Sequence, residues 1–233
     1  MYENLSKLLS SPLMNLDHVY RYSGIKQQEM ESIAIHTFEV QMLGTMIIDT
    51  LQNYHNEKDL DINKFLNLAF HHDLEEAITG DIPRPLKYHD SNIHESLNSI
   101  AELVAKDLFR NNFLDCSSHY KSWSDAKSGK EGLIVKLADT LTVVSKTIKE
   151  IELLGNKYFL KVALEVRYYL NELAKNIACT ELDFNYHSKM YMNDLLLEAS
   201  NHLGNILSKY SEIIDTCITI DNTMINNNKG ECE

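Results

Sequence analysis

The chain has 233 residues, 44% of them apolar, with only three prolines and eight glycines, so one large domain built mainly from long helices is expected. A formal charge of −12 excludes duplex DNA or another bulk nucleic acid as a partner. It does not exclude a small phosphorylated ligand, because a metal ion and a few cations reverse the field locally. Four scattered cysteines without a CxxC pair read as free thiols, and there is no basic leader and no apolar run of membrane-spanning length. The expectation is a soluble cytoplasmic protein with no membrane partner.

Residues 1 to 11 read as a short helix, with Leu5, Leu8 and Leu9 on one side and Pro12 closing it. The next stretch is less periodic and contains Tyr20-Arg21-Tyr22-Ser23-Gly24, a cation between two aromatics, which by itself is an ordinary surface loop. From Ser32 to Tyr54 the apolar spacing is helical, through Ile33, Val40, Leu43, Ile47 and Leu51. His36 falls on that inward stripe. Alone it is either a core histidine satisfied by a carbonyl or a ligand.

Asp61 is placed to cap a helix starting at Ile62. Phe65, Leu68, Ala69, His72 and Glu76 then share one face, with Asp73 beside it. A buried glutamate is costly unless it is paired or bound to something. His71 and Glu75 lie about 100° away on the helical wheel and read as peripheral. Gly80 stops the helix. Pro83 and Pro85 predict a stiff extended loop holding Asp81, Arg84 and Lys87 near its end. His89 and His94 read as solvent-facing.

A further amphipathic helix is expected over residues 92 to 111. Residues 112 to 130 are polar, with a short helix around Tyr120 to Trp123. From Glu131 to Leu154 the pattern gives a strong helix with Asp139 at the margin of its apolar face. An aspartate there is unfavourable without a partner, either a metal or a salt bridge to Lys136 or Lys146. Two long helices, 157 to 178 and 187 to 215, read as core and a dimer surface. Residues 1 to 220 form one domain, and 221 to 233 read as a disordered tail.

His36, His72, Asp73 and Asp139 thus come from three helices. Two imidazoles and two carboxylates suit a divalent ion such as Co²⁺, Mn²⁺, Fe²⁺ or Zn²⁺. Glu76 and Asp81 remain available as general base and general acid. Arg21 and Lys87 can neutralise a phosphate.

The H…HD…D order resembles the HD-domain metal-dependent phosphohydrolases. The run His72-Asp73-Leu74-Glu75-Glu76-Ala77-Ile78-Thr79-Gly80-Asp81-Ile82-Pro83-Arg84-Pro85-Leu86-Lys87-Tyr88 is similar to the bacterial 5′-deoxynucleotidase branch, HD-x-x-E-x-x-T-G-D-x-P-x-P-x-K-Y. The likeness runs from about Leu16 to Val144. It implies an all-α HD-domain bundle, here with additional C-terminal helices, commonly a homodimer, acting on deoxynucleoside 5′-monophosphates. It implies His36, His72, Asp73 and Asp139 as metal ligands, Glu76 as the residue that positions or activates water, and Asp81 close to the scissile bond. Arg21 and Tyr22 match the Arg-aromatic segment that holds phosphate and selects deoxyribose. Ile35 departs from the acidic neighbour usual before the first ligand, and Tyr22 stands where an indole is common. Related phage enzymes act on deoxynucleoside triphosphates, so release of triphosphate or pyrophosphate is one alternative. A non-catalytic nucleotide-binding module is another.

Overall fold

The computed structural model describes residues 5–87 and 89–214. The expected tail at 221–233 lies outside them, as do Tyr88, Cys217 and Cys232. Among the described residues the protein is all-α, without a strand. The helices are α1 (Leu5–Leu9), α2 (Ile33–Tyr54), α3 (Ile62–His71), α4 (Glu76–Thr79), α5 (Arg84–Lys87), α6 (Ser91–Asn112), α7 (Cys116–Asp125), α8 (Gly129–Ile148), α9 (Leu160–Cys179) and α10 (Tyr186–Lys209).

Local sequence starts half of these helices. The Ser32 hydroxyl accepts from the Ile35 N–H, and the Asp61 carboxylate accepts from Asn63 and Lys64. Asp90, Asp115 and Asn185 do the same for α6, α7 and α10. Each such cap satisfies N–H groups that the first turn leaves open, and losing one costs about 1 kcal/mol.

Helix α8 runs through the middle of the bundle and packs on α2, α3, α9 and α10. Ile134, Leu137 and Ala138 on it are fully buried. The approach of α2 to α3 depends on Gly44. A Cβ there would lie 2.0 Å from Cζ of Phe65, inside van der Waals contact. A smaller apolar cluster of Leu74, Ala105, Leu108, Phe109 and Trp123 closes the α6–α7 side.

Several boundaries differ from the periodicity. Leu5 and Leu9 are 67% and 59% exposed, and Pro12 opens a 3-10 segment, Pro12–His18, instead of closing a helix. Helix α3 ends at His71; residues 72–75 form a turn before α4. The Pro83/Pro85 segment is not extended. Pro83 O accepts from the Leu86 and Lys87 N–H groups, making the helical turn α5. A proline near a helix start is tolerated because no intrahelical partner awaits its missing N–H. The expected 131–154 helix ends at Ile148 and continues as one π-helical turn, Lys149–Leu153. Helix α7 is longer than expected, and Trp123 on it is buried.

Candidate metal centre and nucleotide site

The three helices bring the four predicted ligands together. Nε2 of His36 lies 3.4 Å from Nε2 of His72, 3.2 Å from Oδ1 of Asp139 and 3.6 Å from Oδ2 of Asp73. His72 Nε2 is 3.0 Å from that same Asp73 oxygen. One donor atom each from His36, His72 and Asp139 fall within 4.8 Å of one another. Ligands held at about 2.0–2.2 Å from one ion are about 3 to 4.4 Å apart, so these three donors fit a single divalent cation, with Asp73 against the two imidazoles. His36 is fully buried on α2, His72 closes α3, Asp73 opens the following turn, and Asp139 projects from α8.

Each imidazole has a partner on its far side. Nδ1 of His72 lies 2.7 Å from Ala69 O, to which it donates, so in the neutral ring the lone pair is on Nε2. Nδ1 of His36 faces Arg21 Nη1 at 2.5 Å and the Thr142 hydroxyl at 3.3 Å. The Glu31 carboxylate stands 3.9 Å away. Arg21 can only donate, so as the side chains stand Nδ1 of His36 accepts; ligation through Nε2 would need Arg21 to draw back so that the Thr142 hydroxyl can accept a proton from Nδ1.

Glu31 is an acidic group near His36, though its hydrogen bond goes to Arg21. It is 5% exposed, accepts from Arg21 at 3.0 Å and precedes α2, outside the helical periodicity that exposed His36.

Electrostatics separates the four groups. Burial, helped by the Arg21 charge, pulls His36 down to about 4, so its imidazole is neutral at pH 7. Burial also opposes charge on His72, but Asp73 and Asp139 outweigh it and push His72 up to about 9. Asp139 stays well below the carboxylate range against the cost of burial, because His36, Arg21 and His72 favour its charge. Neither Lys136 nor Lys146 partners Asp139. Lys146 pairs with Glu150 at 2.7 Å, whereas Asp139 faces His36 and, at 3.7 Å, Arg21.

Glu76 heads α4 beside this cluster. Its Oε2 is buried without a hydrogen-bond partner. Burial and the Asp73 and Asp81 charges hold its carboxyl well above the usual range. Such an orphaned acceptor fits a water or an ion as partner. Asp81 follows Gly80, which adopts φ +69°, a conformation glycine takes without strain. Oδ2 of Asp81 accepts the Tyr22 N–H at 2.9 Å, tying the motif to the Arg21–Tyr22 loop. Lys87 is on α5 and touches none of the four ligands; its charge acts on Asp81.

The Arg21–Tyr22 loop is more than a surface loop. Arg21 N–H donates to Glu31 O, and Ile33 N–H to Val19 O, pinning the loop to the start of α2. Its far end rests on Glu150, a fully buried carboxylate in the π turn after α8. Glu150 accepts the N–H groups of Gln28 and Glu29, each at 3.1 Å, along with Lys146 Nζ and Asn156 Nδ2. Sequence reasoning missed Glu31 and Glu150. The available signal was a glutamate inside an otherwise apolar α8 pattern, one turn after Lys146.

His71 and Glu75 are not peripheral. His71 is 2% exposed, with Nδ1 at 2.6 Å from Asn67 O and Nε2 at 2.7 Å from His119 Nδ1. Glu75 accepts the Trp123 indole N–H at 2.6 Å, and burial and the Asp73 charge push it up to about 7. The helical-wheel argument fails here because the chain leaves the helix at His72, so positions beyond it no longer advance by 100°.

A helical bundle with this H…HD…D centre is the arrangement of the HD-domain phosphohydrolases. An HD-domain phosphohydrolase from Listeria innocua superposes with a TM-score of 0.63 at 20% identity, over 89% of this chain and 95% of that one. A cyanophage S-2L HD phosphohydrolase, solved with dA and one catalytic Zn²⁺, gives 0.53 at 16% identity, over 84% and 96%. These likenesses concern the fold. Within that class, residues 9–187 match the model of the 5′-deoxynucleotidase YfbR-like family, and the chain belongs to that family. A 5′-deoxynucleotidase of Pectobacterium atrosepticum is 26% identical over 149 residues, 63% of this chain and 74% of that protein.

Proposed function

We propose that this protein is a metal-dependent phosphohydrolase that releases inorganic phosphate from deoxynucleoside 5′-monophosphates. The observation that carries the reading is the convergence of His36, His72, Asp73 and Asp139 beside two carboxyls that hold no ligand position, Glu76 and Asp81. A purely structural metal site has no use for those two groups.

His36, His72, Asp73 and Asp139 would hold the ion, for which Co²⁺, Mn²⁺, Fe²⁺ and Zn²⁺ all suit the donors. A divalent ion bound there supplies a low-pKa water and relief of charge on the phosphoryl group. Glu76 would orient the attacking water and accept its proton, and Asp81 would supply a proton to the departing 5′-oxygen. Water and ester thereby become phosphate and a nucleoside alcohol. Arg21 binds the phosphate oxygens in a fork, and Lys87 adds a point charge from α5. Tyr22, packed on Phe159 with ring centroids 5.3 Å apart, bounds the sugar.

Two further features belong to this reading. Ile35, Phe38, Met42 and Met46 form a second apolar stripe on α2, each at least half exposed, which supports a homodimer. Cys116 and Cys179 are free thiols, and no helix among the described residues is long and apolar enough to cross a membrane, which supports a cytoplasmic setting.

The test is product analysis with dNMP, NMP and dNTP substrates across several divalent ions. Phosphate from a dNMP is expected. Triphosphate from a dNTP, with no dNMP turnover, would replace the reading with a triphosphohydrolase. Metal binding without turnover of any nucleotide would replace it with a sensor.

A further inference from the structure

Thr142 lies on α8 one turn after Asp139 and is 3% exposed. Its hydroxyl donates to Asp139 O at 2.7 Å. A hydroxyl has one proton, so that bond leaves its lone pairs free to accept. Nδ1 of His36 is 3.3 Å from the same oxygen. Thr142 therefore joins two candidate ligands, one on α8 and one on α2. Arg21 Nη1 reaches Nδ1 of His36 as well, at 2.5 Å.

The two partners ask for different protons on the ring. A neutral imidazole carries a single N–H. With Arg21 donating to Nδ1, the ring proton is on Nε2, which lies 3.2 Å from Asp139 Oδ1, and Nε2 has no lone pair for a cation. With the proton on Nδ1, Thr142 is the acceptor within reach, since Glu31 stands at 3.9 Å. An Arg21 N–H would then meet a ring N–H, so the two partners exclude each other.

Arg21 has a second use for the same donor. Nη1 carries two N–H groups. One goes to Glu31 Oε1 at 3.0 Å and the other to His36. A fork that uses Nη1 on a phosphate needs the second one released. The Arg21 backbone N–H on Glu31 O keeps the base of the side chain at the start of α2. A guanidinium that lets go of His36 has the adjoining cavity to enter, which Arg21 lines with Asp81, Ile82 and Pro83. Positive charge gathered by the ligands would push it the same way.

We infer that Thr142 is a positioning residue for His36 and that Arg21 competes with it. Arg21 holds the tautomer that cannot ligate, and Thr142 holds the one that can. The exchange turns the Arg21 fork towards a phosphoanion in the cavity. Cation and phosphate affinities are then linked through Arg21, each raising the other by the same factor. The inference rests on the reading of His36, His72, Asp73 and Asp139 as a metal centre, and adds how that centre communicates with the anion.

The probes are Co²⁺, followed by its d–d absorption in the full chain, and inorganic phosphate. Thr142→Val fills the same space without the hydroxyl and should weaken Co²⁺ binding by about 10–100-fold, the span of a lost partner behind a ligand. Thr142→Ser keeps the hydroxyl and should bind Co²⁺ as the wild type does. A packing role for Thr142 would give the opposite order, because valine is the closer match in shape. Saturating phosphate should tighten Co²⁺ binding at least about fivefold in the wild type. Arg21→Ala should bind Co²⁺ alone more tightly than the wild type and lose most of that phosphate gain. Circular dichroism checks each fold, and Arg21→Lys, which keeps the charge without the fork, should also lose the gain if the alanine chain does not fold. Wild-type Co²⁺ affinity in Thr142→Val, or a phosphate gain that survives the Arg21 substitutions, would overturn the inference and leave the metal centre standing. A wild-type chain that binds no Co²⁺ would remove the metal centre and the inference with it.

Discussion

His71 and His72 are neighbours, as are Glu75 and Glu76, yet the two pairs face different interiors. His72 and Glu76 look onto the Asp73–Asp139 cluster. His71 and Glu75 look onto α7, where His119 and Trp123 partner them. The turn at 72–75 makes this division. A continuous helix would have put one pair inside and left the other towards solvent. Breaking it lets adjacent residues serve two buried clusters, one at the candidate metal centre and one that fastens the turn to the α6–α7 side. The lesson is that a functional turn needs support behind it, and here the support comes from residues next in sequence to the candidate ligands.

The sharpest way to separate the two pairs is to remove a ligand. Asp73→Ala should lose bound metal, measured by elemental analysis, and turnover should fall to background while the helical circular dichroism persists. Wild-type turnover in that variant would refute the ligand assignment. Next in size, Glu76→Gln should keep the metal and lose about 10²–10⁴ in kcat, the span of a general base. Loss of the metal as well would make Glu76 a ligand.

The opposite outcome is expected behind the turn. Trp123→Phe leaves the Glu75 carboxyl without its donor and should cost about 1–3 kcal/mol in denaturant unfolding, with metal content unchanged. A selective loss of metal without destabilisation would mean that the two sides are not divided as described.

The smallest effect on chemistry is expected at Glu150, remote from the ligands. Glu150→Gln should loosen the Arg21–Tyr22 loop and raise KM several-fold more than it lowers kcat. Burial opposes the Glu150 charge, but Lys146, Asn156 and two backbone N–H groups outweigh it and hold the carboxyl at about 2. Because the folded value is depressed, the stability Glu150 contributes is present above about pH 4.5. It fades as pH falls towards 2. The stability gap between wild type and Glu150→Gln should therefore narrow over that window in acid unfolding, and a gap that widens there would contradict the assignment.

The convergence of the candidate ligands was legible because helical spacing places His36 and His72 on inward stripes, and the resemblance to the HD motif adds Asp73 and Asp139. Helix starts were legible for a similar reason, since Ser32 and Asp61 act within three residues. The helix break at His72 was not, because Phe65 to Glu76 keeps apolar spacing through the turn. Glu31 and Glu150 were illegible in a stronger sense. Each acts on groups that are remote in the chain or outside any periodic element, Glu150 on Gln28 from 122 residues away. Lys87, predicted at the phosphate, is on α5, and its charge acts on Asp81.

Tyr22 adopts φ +58°, a region where a bulky side chain is strained by about 1–2 kcal/mol. The Asp81 carboxylate holds its N–H there. The side chain proposed as proton donor is therefore also the latch on a sprung loop. Replacing it with alanine would release the loop along with the acid, and the lost rate would conflate the two. Asparagine keeps an oxygen for the Tyr22 N–H while removing the ionisable proton, so the difference between the two substitutions measures the latch alone.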